Sequence, residues 1–256
     1  MLEIGGIEIQ YGQRLGEDLE LATLHKQYDS VFLGLGLGAS RALGLTGEQA
    51  PGLMPAVDYI KVLRQADDLG TLAVAKRCIV IGAGNTAIDM ATQMARLGAT
   101  EVTLVYRRGI EAMSATDHEQ EIAKANGVRM VTWAQPDEIL LDDQGRVAGM
   151  RFAKTHDQAG GLTTTGETFE VAADAIFKAI GQDFEGESLS DATAAELARD
   201  GERIHVDETF RTSLPNVYSG GDCVKPGQDL TVQAVQHGKL AAHAIHQALA
   251  AKQEAA

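Results

Sequence analysis

The run Cys78 to Ala91, C-I-V-I-G-A-G-N-T-A-I-D-M-A, joins an apolar stretch to a Gly-Ala-Gly turn and then to a helix-period pattern. Gly82 permits a tight turn after a strand, and Gly84 lets the backbone approach a diphosphate. Ala87 fills the third small position, where helix must pack closely on strand. A pyrophosphate over a helix beginning near Asn85 would meet unpaired N–H groups and the positive end of the helix dipole. Gly82, Ala83 and Gly84 are therefore candidate dinucleotide-binding residues. Asn85 and Thr86 are candidate polar contacts to the diphosphate, with ordinary helix capping as the alternative for both.

Glycines also end strands for purely structural reasons, so the residues downstream carry the decision. Ile88, Ala91, Met94, Ala95 and Leu97 continue the helical period to Gly98, a helix-ending glycine, and Glu101 to Tyr106 reads as a second strand. Where a site for NAD carries an acidic residue for the ribose 2′-hydroxyl, this chain has Arg107 and Arg108. Two guanidiniums suit a 2′-phosphate and hence NADPH. Read as a solvated strand-end pair they leave NADH open, because no Lys or Arg follows until Lys124.

The remaining composition narrows the classes. The chain has 256 residues, enough for one large domain or two small ones, and its apolar fraction of 45% suits a packed globular core. Lys and Arg number 22 against 36 acidic residues, and the net charge of −14 argues against nucleic acid and anionic membranes as partners. No apolar run reaches the length of a membrane span, since Val31 to Leu45 is broken by Gly34, Gly36, Gly38 and Arg41. The start M-L-E-I-G-G lacks the basic and apolar regions of a signal peptide, so a cytoplasmic protein is expected. The two cysteines, Cys78 and Cys223, form neither a C-x-x-C pair nor a metal cluster. His237, His243 and His246 lie on one helix without an acidic or cysteine partner nearby, so no metal site is expected. Asp117-His118-Glu119 reads as a charged helix start.

The elements that must position these residues alternate between strand and helix. Leu2 to Tyr11 reads as a strand pair, Ala22 to Gln27 as a short helix, and Ser30 to Gly34 as a strand. A connecting helix carries Pro55 at its first position and ends near Gly70. After the arginines, Thr116 and Glu119 make a capping box for a helix ending at Gly127, followed by a strand over Val128 to Trp133. Glu138 to Phe152 reads as a hairpin around Asp142 to Gly145, and Phe169 to Ala179 as a strand after a polar loop. Arg203 to Val206 reads as a strand, and a long helix from Leu230 to Ala250 presents Val232, Val235, Leu240, Ala244 and Leu249 as its apolar face. The pattern is α/β: a Rossmann-like NAD(P)-binding domain with a β-meander on one side.

Val217-Tyr-Ser-Gly-Gly-Asp222, preceded by Thr212 to Asn216, resembles the second flavin motif of the flavoproteins with two dinucleotide-binding domains. The resemblance implies Gly221 and Asp222 at the ribityl chain of FAD and the amides of Leu230, Thr231 and Val232 at the flavin ring. Ala179-Ile180-Gly181-Gln182 is similar to the family's return crossing from the NAD(P)H domain to the FAD domain. F-L-G-L-G-L-G, Y-R-R-G and D-L-T-V-Q-A-V-Q-H-G-K-L-A-A-H-A-I-H look most like the module of glutamate synthase small subunits and dihydropyrimidine dehydrogenases, and the last stretch tilts toward the latter's flavoprotein subunit.

The implied organisation is a partial FAD-binding domain over 1–75, an NAD(P)H-binding domain over 76–180 inserted into it, and the rest of the FAD domain over 181–256. The implied activity passes hydride from NAD(P)H to FAD and electrons onward through the iron–sulfur clusters of a partner subunit, with a homo-oligomer as another way to complete the pocket. No acid–base residue is needed for the hydride step, so none is nominated. Full family members carry a first Rossmann half with G-x-G-x-x-G for the FAD pyrophosphate. The chain matches the C-terminal part of that pattern, which leaves a non-catalytic NAD(P)-binding fragment as the alternative.

Overall fold

A computed structural model describes residues 2–158, 161–184, 189, 191–226 and 230–254. In chain order the elements are α1 Leu21–Gln27, β1 Val31–Leu33, β2 Ala39–Ser40, β3 Leu53–Pro55, α2 Ala56–Gln65, β4 Arg77–Gly82, α3 Asn85–Leu97, β5 Glu101–Val105, α4 Asp117–Ala125 and β6 Arg129–Val131. They continue as β7 Ala134–Leu141, β8 Val147–Gln158, β9 Gly161–Ala172, β10 Ala175–Ala179, β11 Gln182–Asp183, α5 Ala192–Ala195, β12 Arg199–Asp200, β13 Arg203–Ile204, β14 Val217–Ser219 and α6 Thr231–Glu254. Contacts divide them into a middle unit, Ser40–Gln182, and a unit built from the two flanking segments, Met1–Ala39 and Asp183–Ala256.

In the middle unit β3, β10, β4, β5 and β6 lie in that order as a fully parallel sheet. A strand covered on both faces reads as a continuous apolar run, and β4 is one. Cys78 and Val80 face a cluster with Ala87, Met90, Ala91 and Met94 of α3, while Ile79 and Ile81 face Met150, Phe152 and Ile176. The second face is covered by an antiparallel sheet, β7-β8-β9. Helices, parallel sheet and meander thus make three layers, and each fully buried methionine or isoleucine at these faces contributes about 1.5–3 kcal/mol.

Local chemistry sets the ends. Gly98 closes α3 in the left-handed region at φ 106, with its N–H on Ala95 O and the Ala99 N–H on Met94 O. Thr116 and Glu119 cap α4 reciprocally, as their spacing indicates. Asp142 Oδ1 accepts from the N–H groups of Gln144 and Arg146, both at 2.9 Å, and closes the β7–β8 turn.

Several elements depart from the sequence reading. Residues 2–11 hold a single 3-10 turn at Leu2–Ile4 and no strand, and Ile4, Ile7, Ile9 and Tyr11 are exposed. Gly5 and Gly6 at positive φ break the alternation. Pro55 caps α2 from outside and ends the edge strand β3, where the missing N–H costs no ladder bond. α2 ends at Gln65, and a separate 3-10 turn spans Leu69–Thr71. The third parallel strand is only Arg129–Val131, because Trp133 turns away at φ 58. The polar stretch read as a loop is β9, paired along β8 by threonines whose solvent-facing pattern hides the strand. Residues 40–75 belong with the middle unit, because β3 pairs with β10.

In the flanking unit β1 runs parallel to β14, with Val31 opposite Val217 and Leu33 opposite Ser219. The expected strand at Arg203 to Val206 is the short β13, antiparallel to β12. Along α6 the buried residues are His237 and Ala241; of the apolar face expected there, Val232, Val235 and Leu240 are exposed, while Ala244 packs on the core and Leu249 is partly buried. Ala241 and His237 lie one turn apart with Ala234 and Gly238 beside them, and these small residues let the helix approach closely.

Candidate functional site

The Gly-Ala-Gly turn sits at the C-terminal end of β4, where ligands of open parallel sheets bind. Gly82 has φ 146, and a Cβ on it would overlap the Ala179 carbonyl oxygen, lie 2.9 Å from the carbonyl carbon and 3.2 Å from Ala87 Cβ. Its side-chain-free backbone thus lets β4, β10 and α3 meet. At Gly84 a Cβ would meet only Ser114 Oγ at 3.4 Å, so the space above this glycine is open. The turn itself is held from behind, with the Ala115 N–H donating to Ala83 O at 3.0 Å.

A cleft of about 710 Å³ opens over this turn, within the size range of small-molecule and cofactor sites. Its walls include Gly82, Ala83, Gly84, Thr86, Arg107, Arg108, Ile180, Gly181 and Gln182, so nine residues singled out from the sequence converge. Asn85 is not among the lining residues, and its Oδ1 is buried without a hydrogen-bond partner among the described residues. The turn itself holds no basic residue, so an anion over it would be met by the dipole and amides at the α3 N-terminus.

Arg107 and Arg108 follow β5 after Tyr106 and line the same cleft. Among the described residues neither guanidinium has a hydrogen-bond or ion-pair partner, although the Arg107 and Arg108 carbonyls are both bonded. Two cations without a partner among the described residues thus line the cleft that opens over the α3 N-terminus, in a chain of net charge −14.

The opposite wall holds residues that sequence reasoning missed. Lys178, on β10, donates to Glu48 Oε1 at 2.7 Å, and both side chains are nearly buried at 10% and 9% exposure. Glu48 also accepts from the N–H groups of Leu43, at 2.8 Å, and Gly44, at 2.9 Å. Burial alone would push the Glu48 carboxyl up, but the Lys178 bond and the two amides outweigh it and hold it below its ordinary value. Lys178 and Leu43 line the cleft with Ser40 and Arg41, and the Arg41 N–H donates to Gly181 O at 3.2 Å. Gly181 has φ 108, and a Cβ there would lie in ordinary contact with the Arg41 side chain, 3.4 Å from Nη1.

The remaining candidates lie in the flanking unit. Gly221, at φ 79, opens a 3-10 turn with Asp222 and Cys223 after β14. His237 Nδ1 accepts from the Gly221 N–H at 3.2 Å, and the His237 ring packs on Phe210 with centroids 4.5 Å apart. Leu230, Thr231 and Val232, at the start of α6, are exposed. A Cβ on Gly221 would rest 3.6 Å from Ala234 Cβ, so the first turns of α6 pack directly on the glycine. No helix opens after Gly34 to Gly38, so among the described residues of this unit no glycine turn leads into a helix for an FAD pyrophosphate.

Burial pushes the Cys78 thiol up to about 12, which disfavours the reactive thiolate, and Cys223 is buried between Ser219 Oγ at 3.4 Å and Gly220 O at 3.2 Å. Among the described residues no group of three His, Cys, Asp or Glu could hold a metal ion. Among the same residues no helix is long and apolar enough to cross a membrane.

A family model for pyridine nucleotide-disulphide oxidoreductases matches residues 2–238. The chain is 33% identical over 258 residues to the glutamate synthase (NADPH) small chain of Escherichia coli strain K12, covering 94% of this chain and 54% of that protein. It is 34% identical over 254 residues to the NADP(+)-dependent formate dehydrogenase subunit beta of Moorella thermoacetica, covering 95% and 35%. It is 31% identical over 258 residues to the putative oxidoreductase AegA of Escherichia coli strain K12, covering 94% and 39%. The chain thus spans about half or less of the length of these relatives. Among solved structures, thioredoxin reductase of T. acidophilum superposes with a TM-score of 0.68 at 23% identity, over 85% of this chain and 65% of that one. FprA from Mycobacterium tuberculosis gives 0.67 at 19% identity, over 94% and 68%.

Proposed function

We propose that this chain, which belongs to the pyridine nucleotide-disulphide oxidoreductase family, is the NADPH-docking module of an oxidoreductase that hands reducing equivalents to a partner subunit. Members of the family use NAD(P)H and FAD. The observation that carries the reading is the cleft at the ends of β4, β5 and β10, with an open Gly84 over the α3 N-terminus and two unpaired guanidiniums at the end of β5.

NADPH bound there would supply a hydride from the nicotinamide ring, and the protein's part is to bind and orient it. Gly82 and Gly84 bring the backbone up to the diphosphate, Ala83 and Thr86 flank it, and Arg107 with Arg108 take the 2′-phosphate. Ile180, Gly181 and Gln182 form the opposite wall, where Lys178 and Glu48 hold the 43–44 backbone in place. Gly221, Asp222 and Leu230 to Val232 fit the flavin end of FAD, while the described residues offer no cradle for its pyrophosphate.

The names of the relatives support a multi-subunit setting: a glutamate synthase small chain, a formate dehydrogenase subunit beta, and an NADPH-Fe(3+) oxidoreductase subunit beta. The partner in this proposal carries iron–sulfur clusters, and the motif ending in His246 favours the dihydropyrimidine dehydrogenase branch over glutamate synthase. Two buried free thiols fit a reducing, cytoplasmic setting.

Calorimetric titration with NADPH and NADH tests the reading. Replacing Arg107 and Arg108 together by alanine is expected to weaken NADPH by ~2 to 4 kcal/mol and NADH far less, because charge-assisted contacts to a phosphate are the strong kind. Equal loss for both nucleotides would refute it.

A further inference from the structure

Three successive carbonyls of the turn after β5 are held by the meander. Tyr106 O accepts from the Ala134 N–H at 3.1 Å, Arg107 O from Thr155 Oγ1 at 2.6 Å, and Arg108 O from the Trp133 N–H at 3.1 Å. The Thr155 N–H donates in turn to Trp133 O at 2.9 Å, which links the last two anchors into one unit.

This linkage is built against local preference. Trp133 sits at φ 58, a region that bulky residues rarely occupy unless the surroundings hold them there. β8 reaches the turn through a register shift against β9 between Ala153 and Thr155. Such bulges re-aim a side chain, and here Thr155 is turned inward, 4% exposed, onto the Arg107 carbonyl. The backbone of the two arginines is therefore fixed, while both residues line the cleft and neither guanidinium has a partner among the described residues. That combination is what preorganised recognition of an anion requires, since little ordering is left for the ligand to impose. Two of the three anchors are main-chain donors that almost any residue would supply. Thr155 alone anchors through its side chain.

Resting on the reading of Arg107 and Arg108 as the 2′-phosphate site, we propose that Thr155 is a positioning residue that sets the preference for NADPH over NADH by fixing the Arg107 carbonyl.

The test titrates the full chain with NADPH, NADH, 2′,5′-ADP and 5′-AMP, following binding calorimetrically and through the emission of Trp133, the only tryptophan of the chain. Thr155→Val removes the hydroxyl at nearly constant volume and is expected to raise the Kd for NADPH and 2′,5′-ADP about fivefold to tenfold while leaving NADH and 5′-AMP within about twofold, as for one lost anchoring hydrogen bond. Thr155→Ser, which keeps the donor, is expected to retain the wild-type ratio, and the Trp133 emission of Thr155→Val to shift relative to both. An unchanged NADPH-to-NADH ratio in folded Thr155→Val, or equal weakening of both nucleotides, would overturn the inference. So would loss of folding in both Thr155→Val and Thr155→Ala, because Thr155 would then support the fold and not the discrimination. Failure of the underlying reading is distinguishable: it appears as an unaltered ratio when Arg107 and Arg108 are both replaced.

Discussion

Removing the Lys178 ammonium while leaving Glu48 in place strands a carboxylate that is 9% exposed. The loss of one partner of a buried ion pair costs about 3–5 kcal/mol, because the remaining charge keeps its desolvation penalty without its counter-charge. Glu48 retains the Leu43 and Gly44 amides, so Lys178→Met is expected toward the lower end of that range, about 3 kcal/mol. Glu48→Gln is expected to be milder, since an amide oxygen still accepts from Lys178 or the two N–H groups. Urea unfolding of both single variants and the double variant reads the coupling directly. If Lys178→Met lowered stability by less than about 1 kcal/mol, or the double variant were no better than the sum of the singles, the pair would not be the buried, mutually dependent unit described. pH provides a second reading. The folded Glu48 carboxyl lies below its ordinary value of 4.5, so its contribution is fully present above that value and is lost as pH falls through the folded one. The stability gap between wild type and Glu48→Gln should accordingly close on acidification from neutral to below that range, and a gap that widened would contradict the assignment.

Gly82→Ala should destabilise the fold by ~2–5 kcal/mol in urea, since the new Cβ meets the Ala179 carbonyl at a φ that L residues avoid. Gly84→Val should instead leave the circular dichroism spectrum and melting temperature near wild type while abolishing nucleotide binding, and retained binding would make that turn purely structural. Cys78 should resist thiol reagents until global unfolding, with its thiol pushed up to about 12. Flavin content measured from visible absorbance should be well below one per chain, because the described residues hold the flavin-edge turn without a pyrophosphate cradle. A full flavin band would require that cradle to be assembled across copies or by a partner.

The strongest parts of the fold were legible where sequence order and spatial order coincide. β4, the Gly82 to Gly84 turn, α3, Gly98 and β5 are consecutive, each fixed by a local rule, and the cleft floor they form was readable residue by residue. The far wall was not. Lys178 and Glu48 lie 130 residues apart, and each alone reads as surface charge; only the pairing of β10 with β3 and β4 brings them together. β9 escaped because its threonines face solvent along most of its length and leave no alternation to detect. On α6 the valines and Leu240 suggested a buried stripe, but the helix turns its small residues and His237 inward, since close approach to Gly220 and Gly221 excludes bulk.

The same distinction explains the arginines. Their identity and their place after β5 could be read from the sequence, and they suit a phosphate, with a solvated strand-end pair as the alternative. Whether two flexible cations discriminate between nucleotides depends on how firmly their backbone is held, and those constraints come from Ala134, Trp133 and Thr155 on another sheet. On the proposed reading, discrimination in this unit depends on the meander as much as on the arginines, since a loosened turn would still attract any dinucleotide through the α3 amides but would lose its grip on the one group that separates NADPH from NADH.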